Sequence, residues 1–256
     1  MTVAFGRDKK MKAVGIIGCG AIATIIAEAV QRRIVECDEL ILYDYNIEKA
    51  EKLKKSLQFP VTVVHGLEEM LKRKPTVIVE AASQKAVKDY LYKILAENVD
   101  LIVMSVGALL DLNVKSSRVH LPSGAIGGLD AVASAALAGI DEVLLTSRKN
   151  PYALEMENKV EKIVYEGTAE EAVRRFPREM NVAATLALTV RPAKVKVQVI
   201  SDPEVRRNVH EIKIEWKHGS MFMKFANDPH PENPRTSALA AWSAIKLLRE
   251  VLEKSV

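Results

Sequence analysis

Alternation between short apolar runs and longer amphipathic segments restricts the fold of residues 11–117 more than any other feature of the sequence. The short runs are rich in β-branched residues and have no polar face. Strands of this kind, separated by helices, are typical of a parallel sheet that helices cover on both sides. We therefore predict a doubly wound α/β domain, with strands at 12–17, 39–43, 61–64, 76–80 and 99–104 and helices at 21–33, 47–57, 67–73 and 84–96.

The second half of the chain shows a different pattern, in which apolar and polar residues alternate. Ile212 and Ile214, for example, alternate with Lys213 and Glu215. A period of two is typical of a strand with one packed face and one solvent-exposed face. We predict a second, α+β domain with a mostly antiparallel sheet, with strands at 142–146, 194–200, 210–216 and 221–226 and helices at 131–138, 169–175 and 182–188.

The C-terminal part combines a polar stretch with a long amphipathic segment. Residues 227–235 are rich in Pro and Asn, which predicts a loop. Residues 236–256 have an apolar stripe at helical spacing, which predicts a helix with Thr236 or Ser237 as its N-cap. We expect this helix to return to the first domain, because the second is complete before it begins. The predicted domains are 11–118 with 236–256, and 119–235, and residues 1–10 are an extension.

Composition excludes several classes of protein. The 256 residues are 48% hydrophobic and 27% charged, which is enough apolar material for a sizeable core. The net charge is +4, but Lys and Glu are interleaved and only 5% of residues are aromatic, so we expect no nucleic-acid partner. No apolar run reaches the roughly 18 residues that span a bilayer, so we expect no membrane partner.

Cysteine usage indicates the compartment. Cys19 and Cys37 are too few for a disulfide framework or a structural zinc site. The first ten residues are too short and polar for a signal peptide. We expect a cytoplasmic protein without a metal.

Abundant Lys and Glu with few Gln are typical of thermophilic proteins.

A G-x-G-x-x-A motif follows the first predicted strand and opens the first predicted helix. Gly18 permits the tight turn, Gly20 lets the backbone approach a pyrophosphate, and Ala23 is small enough for the helix to pack on the strand. The N–H groups at the start of the helix attract an anion. We therefore predict a Rossmann-type dinucleotide site that includes Gly18, Gly20, Ala21 and Ile22.

An acidic residue stands where a dinucleotide site needs one. Asp44 ends the second predicted strand, 24 residues after Gly20, and the usual spacing is about 20. A carboxylate there accepts hydrogen bonds from the adenosine ribose and repels a 2′-phosphate. NAD is therefore the expected cofactor, with NADP as the alternative if the carboxylate swings away.

The remainder of the cofactor is expected outside the carboxyl ends of the strands. The fourth and fifth predicted strands are followed there by small residues, as a ribose and a nicotinamide require. Those after the fourth strand are Ala81, Ala82 and Ser83, and residues 105–107 follow the fifth.

Four short motifs occur in a specific order in the second half. They are Pro-Ser-Gly-Ala-Ile-Gly-Gly-Leu-Asp at 122–130, Asn-Val-Ala-Ala-Thr at 181–185, Asn-Val-His-Glu-Ile at 208–212 and Asn-Pro-Arg-Thr-Ser at 233–237. Together they resemble the L-aspartate dehydrogenase family, and the resemblance covers about 11–256. It implies NAD(P)-dependent oxidation of L-aspartate to iminoaspartate, which water converts to oxaloacetate and ammonia. It also implies that the imine supplies NAD biosynthesis.

The resemblance implies roles for individual residues. The family's catalytic histidine corresponds to His210, and two of its cofactor contacts correspond to Ala125 and Asn181. The alternatives are a structural role for His210 in the core and an N-cap role for Asn181 in the helix that follows it. An unperturbed histidine, with a pKa near ~6.5, is suited to move protons near neutral pH.

The groups that bind the two substrate carboxylates are less well defined. Asn233, Arg235 and Thr236 come from the polar loop, which is either a solvated connection or a substrate-side loop. Lys149 and Arg148 are further cationic candidates, and an arginine can bind a carboxylate with two hydrogen bonds.

Two other functions fit the dinucleotide motif. One is another two-domain NAD(P) oxidoreductase, similar to homoserine dehydrogenase or dihydrodipicolinate reductase, and the other is a non-catalytic NAD sensor. The stretch 107–121 is shorter than is typical of the family, which leaves the domain junction open. Antiparallel strands with one free face predict a homodimer through the second domain.

Overall fold

The computed structural model describes residues 11–112, 114–230 and 233–254, and of residues 230 and 233–236 it describes only the backbone. The first half forms a six-stranded, fully parallel sheet in the order β3-β2-β1-β4-β5-β6. Its strands are β1 (Ala13–Ile17), β2 (Glu39–Tyr43), β3 (Val61–Val63), β4 (Val77–Glu80), β5 (Asp100–Val103) and β6 (Val119–His120). Its helices are α1 (Ala21–Gln31), α2 (Ile47–Lys55), α3 (Leu67–Lys72) and α4 (Gln84–Ala96).

Burial on both faces explains why these strands are apolar throughout. Val14 and Ile16 of β1 belong to one core, and Ala13 and Ile17 belong to the core on the opposite side of the sheet. The prediction of a doubly wound parallel sheet is confirmed. The two-residue strand β6 was not predicted, because it is too short to show a pattern.

The second half forms a five-stranded sheet in the order β11-β10-β7-β9-β8. The pair β7–β9 is parallel and the other three pairs are antiparallel, which confirms the prediction of a mostly antiparallel sheet. Its strands are β7 (Ile140–Lys149), β8 (Lys162–Thr168), β9 (Lys196–Ser201), β10 (Asn208–Trp216) and β11 (Gly219–Asn227). The packed helices are α5 (Leu129–Ala138), α6 (Ala169–Arg175) and α7 (Asn181–Thr189).

Strand β8 is absent from the sequence-based prediction, for a physical reason. It lies at the edge of the sheet, and none of its residues is fully buried. Its apolar and polar residues therefore do not follow a simple alternation.

The C-terminal segment differs in part from the prediction. The expected loop at 227–235 instead contains a small hairpin of β12 (Pro229–His230) and β13 (Asn233–Ser237). Helix α8 (Ala238–Lys254) then packs on α1, with Ala244, Leu248 and Leu252 in a shared core. The helix therefore returns to the first sheet as its apolar stripe predicts.

Three further expectations from the sequence concern the ends of the chain, the domain boundaries and membrane-spanning helices. Residues 1–10 and 255–256 lie outside the described part of the chain. The domain boundaries at 118/119 and 235/236 stay predictions. Among the described residues, no helix is both long and apolar enough to cross a membrane.

Candidate active site

The turn after β1 contains two glycines, and a different structural feature explains why each position is a glycine. Gly18 has φ +89°, and a Cβ there would lie 2.7 Å from the carbonyl oxygen of Ala81. Gly20 has an extended backbone, and a Cβ there would meet nothing within 4 Å. Gly18 is thus required by the fold itself, whereas the open space at Gly20 fits a cofactor pyrophosphate that approaches the backbone.

Asp44 is held directly against this turn. Its Oδ2 accepts a hydrogen bond of 2.7 Å from Cys19 N, and its Oδ1 accepts one of 2.8 Å from Asn46 N. Helix α1 starts at the same turn without a side-chain cap. The structure therefore places a carboxylate and an uncapped helix N-terminus side by side, which suits a ribose and a pyrophosphate.

At the end of β4 the structure shows a functional candidate that sequence reasoning missed. Glu80 is only 1% exposed, and its Oε1 accepts hydrogen bonds from Ala82 N and Ser83 N. Burial raises the pKa of Glu80, although these hydrogen bonds act to lower it. The signal in the sequence was an acidic residue at the end of an apolar run.

The hydroxyl of Ser83, a predicted cofactor contact, caps α4 by accepting from Ala86 N.

A cleft of about 100 Å³ opens between the two sheets. It brings together residues that the sequence predicted from distant positions, among them Ile22, Ala125, Lys149, Asn181 and His210. Arg178, which was not predicted, lines the same cleft. The side chains of Asn233, Arg235 and Thr236 lie outside the described part of the chain, so their substrate role stays a prediction.

Asn181 is the first residue of α7, and its side chain does not cap the helix. Its Oδ1 instead accepts a hydrogen bond of 3.2 Å from Gly107 N, so the N-cap alternative is wrong. The hydrogen bond joins α7 to the turn that follows β5. With one hydrogen bond on this oxygen, Asn181 can still offer its NH₂ group to a ligand in the cleft.

His210 lies on β10 directly opposite Ser147 of β7. The ring is 2% exposed, and its Nδ1 is 3.2 Å from Ser147 Oγ. Burial, followed by the nearby charge of Lys149, lowers the pKa of His210 to about 3. The expectation of an unperturbed histidine is therefore wrong, because burial disfavours the protonated imidazole well below neutral pH.

Lys149 and Arg148 are neighbours on β7 that point to opposite faces of the sheet. Lys149 is 2% exposed and lines the cleft with His210. Arg148 forms ion pairs with Glu161 and Asp202 outside the cleft. Arg148 is therefore wrong as a candidate for binding a substrate carboxylate, and the geometry favours Lys149.

Two protein-family models match the chain. "Homoserine dehydrogenase, NAD binding domain" matches residues 18–119, and "Aspartate dehydrogenase, C-terminal" matches residues 130–251. The first match identifies an NAD-binding domain, and the second separates the chain from homoserine dehydrogenases.

Similar proteins cover nearly the whole chain. The L-aspartate dehydrogenase of Archaeoglobus fulgidus is 40% identical, and the alignment covers 94% of this chain and 98% of the relative. That of Methanothermobacter thermautotrophicus is 39% identical, with 94% and 96% covered.

Solved structures show the same relationship. The aspartate dehydrogenase of Thermotoga maritima is 30% identical, with 94% of this chain and 96% of that chain covered and a TM-score of 0.75. A myo-inositol dehydrogenase from Corynebacterium glutamicum, 11% identical with a TM-score of 0.56, shares the fold alone, with 96% of this chain and 88% of that chain covered. The chain belongs to the L-aspartate dehydrogenase family.

Proposed function

We propose that this protein oxidises L-aspartate to iminoaspartate with NAD(P), after which water converts the imine to oxaloacetate and ammonia. The observation that carries the proposal is the cleft that joins Asn181 and Ala125 to two buried side chains, His210 and Lys149. A cationic group and a neutral base beside a nucleotide site are the groups that oxidation of an acidic amino acid requires.

The bound cofactor supplies the chemistry of hydride acceptance. Gly18, Gly20, Ala21 and Ile22 would hold its pyrophosphate, and Asp44 would accept from its adenosine ribose. NAD is the preferred form, because a swing of Asp44 to admit a 2′-phosphate would break two backbone hydrogen bonds. On the nicotinamide side, the site would include Ala125, Asn181 and the loop of Ala81, Ala82 and Ser83.

Lys149 would bind one carboxylate of the substrate. It is buried in the cleft, where a charge pair is weakly screened by solvent. Arg178, an exposed residue of the same cleft, would attract the anionic substrate toward it. Asn233, Arg235 and Thr236 are proposed to complete the substrate side of the site.

His210 would accept protons as the neutral imidazole that the structure holds. The substrate ammonium must lose a proton before the amine can become an imine, and the water that attacks the imine must also lose one. Burial is the main cause of the lowered pKa of His210, and a carboxylate paired with Lys149 would offset the second cause, the positive charge of that lysine. Substrate binding would thereby raise the basicity of the ring when it is needed. Ser147 would orient the ring through Nδ1.

We further propose a cytoplasmic homodimer from a thermophilic source that supplies iminoaspartate for NAD biosynthesis, without nucleic-acid or membrane partners. Buried thiols with raised pKa values, Cys19 and Cys37, suit a reducing compartment. The outer face of the second sheet carries the exposed Phe222 beside the ion pair of Glu211 and Lys224, a mixed surface that suits a dimer contact. The absence of a metal from the reaction also stays a prediction.

The test is an activity panel with purified protein. NAD and NADP are each combined with L-aspartate, L-glutamate, L-homoserine, L-alanine and L-malate, and the absorbance of reduced nicotinamide is followed. We expect turnover with L-aspartate and a preference for NAD. Turnover with another substrate alone would support a different oxidoreductase, and tight NAD binding without turnover would support an NAD sensor.

A further inference from the structure

Glu80 is a buried carboxylate for which the proposed chemistry has no role. It ends β4 at the edge of the sheet where the cofactor site lies, and it is 1% exposed. Oε1 accepts from Ala82 N at 2.9 Å, from Ser83 N at 2.8 Å and from Ser105 Oγ at 2.9 Å. Oε2 accepts from Ser105 N at 3.0 Å. One carboxylate thus joins the loop after β4 to the loop after β5.

All four partners of this carboxylate are donors. An ionised carboxylate can accept all four hydrogen bonds, whereas a protonated or amidated group must turn a hydrogen toward at least one donor. The charge and the acceptor capacity of Glu80 are therefore matched to these two loops. A buried donor left without an acceptor is costly, so substitution would move the loops.

The loop after β5 continues this connection to the cleft. Ser105 precedes a 3-10 turn, Val106–Leu110, in which Gly107 N donates to Asn181 Oδ1 at 3.2 Å. A Cβ on Gly107 would lie 2.7 Å from Val173 Cγ1, so the turn packs tightly against α6. The position of Asn181 therefore depends on the position of Ser105.

We propose that Glu80 is a positioning residue for the nicotinamide half of the cofactor. It fixes the loops after β4 and β5 and, through Ser105 and Gly107, the amide of Asn181. The inference rests on the proposed dinucleotide site but not on the identity of the substrate. The adenine half of the cofactor would contact the turn at Gly20 and Asp44, which Glu80 does not touch.

The test compares NAD with ADP, which lacks the nicotinamide half, by calorimetric binding to the full-length protein. For Glu80→Gln we expect the affinity for NAD to fall about 10–100-fold, the usual effect of disrupting hydrogen bonds to a charged group. The affinity for ADP should change less than about threefold. Glu97→Gln, an exposed residue after α4, is the matched control and should change neither affinity.

Thermal unfolding of each variant separates positioning from stability. Equal losses for NAD and ADP together with a lower Tm would overturn the proposal, and so would unchanged NAD binding in Glu80→Gln. If that variant does not fold, Ser105→Ala removes one of the four donors, and a selective loss of NAD affinity is again expected. Failure of the unmodified protein to bind NAD would instead contradict the proposed cofactor site.

Discussion

The groups proposed to face the cofactor in the first sheet are mainly backbone groups at strand ends, whereas those that line the cleft from the second sheet are buried side chains. Gly18 and Gly20 act through a turn conformation and through open space. Lys149 and His210 act through burial on one face of a sheet. The first region thus depends on the absence of side chains, and the second on buried side chains, one of which, His210, has a pKa that burial lowers. Substitutions should therefore have different signatures in the two regions.

The largest expected effect is on turnover. His210→Ala should lower kcat with L-aspartate by roughly 10²–10⁴-fold, the usual contribution of a positioned acid–base group. The affinity for NAD should change little, because the imidazole is proposed to face the substrate rather than the cofactor. Steady-state kinetics and calorimetry measure the two quantities.

His218→Ala is the matched control for this variant, because His218 is exposed at the turn of the same hairpin. It should leave kcat unchanged. If His210→Ala unfolds early but turns over L-aspartate normally, His210 is a core residue and the catalytic assignment is wrong.

The second effect is on acid stability. The pKa of His210 is lowered from 6.5 to about 3, so its contribution to stability is present above about pH 6.5 and is lost as the pH falls toward 3. Between about pH 7 and about pH 4.5, this single group should remove about 2–3 kcal/mol from the free energy of unfolding. Urea unfolding at the two pH values should show a smaller loss for His210→Asn than for the unmodified protein, and no such difference for His218→Asn.

The third effect is on substrate affinity. Lys149→Met keeps an apolar stem but removes the charge, so the KM for L-aspartate should rise about 10–100-fold. The affinity for NAD should stay within about threefold. Lys213→Met, at an exposed position of β10, is the control and should change neither value. An unchanged KM in Lys149→Met would show that another group binds the substrate carboxylate.

The same difference between the regions explains what the sequence could predict. The glycine turn and Asp44 lie within one β-α-β unit, so their spacing predicts their proximity. Ser147 and His210 are 63 residues apart and meet only because β7 pairs with β10. Burial of that pair, and hence the lowered pKa of His210, is a tertiary effect that spacing does not contain.

Glu80 shows another limit of sequence reasoning. An acidic residue at the end of an apolar run has the same pattern whether it is solvated or buried. Its role appears only when the loop after β5 brings Ser105 to it. The hairpin of β12 and β13 was missed because Pro and Asn favour turns, and strands this short have no detectable period.

The smallest expected effect separates two glycines of one motif. Gly20→Ala should leave Tm unchanged, because the added Cβ would meet nothing within 4 Å, but it should weaken NAD binding about tenfold by occupying the space of the pyrophosphate.

Gly18→Ala is the matched comparison, and its effect should be on stability. Its φ of +89° and the 2.7 Å approach of the new Cβ to Ala81 O should destabilise the fold by about 1–3 kcal/mol. Differential scanning fluorimetry and NAD titration measure both variants. If Gly20→Ala lowers Tm but leaves the NAD affinity unchanged, the cofactor role of this backbone position is wrong. Gly20 would then be required by the fold and not by the cofactor.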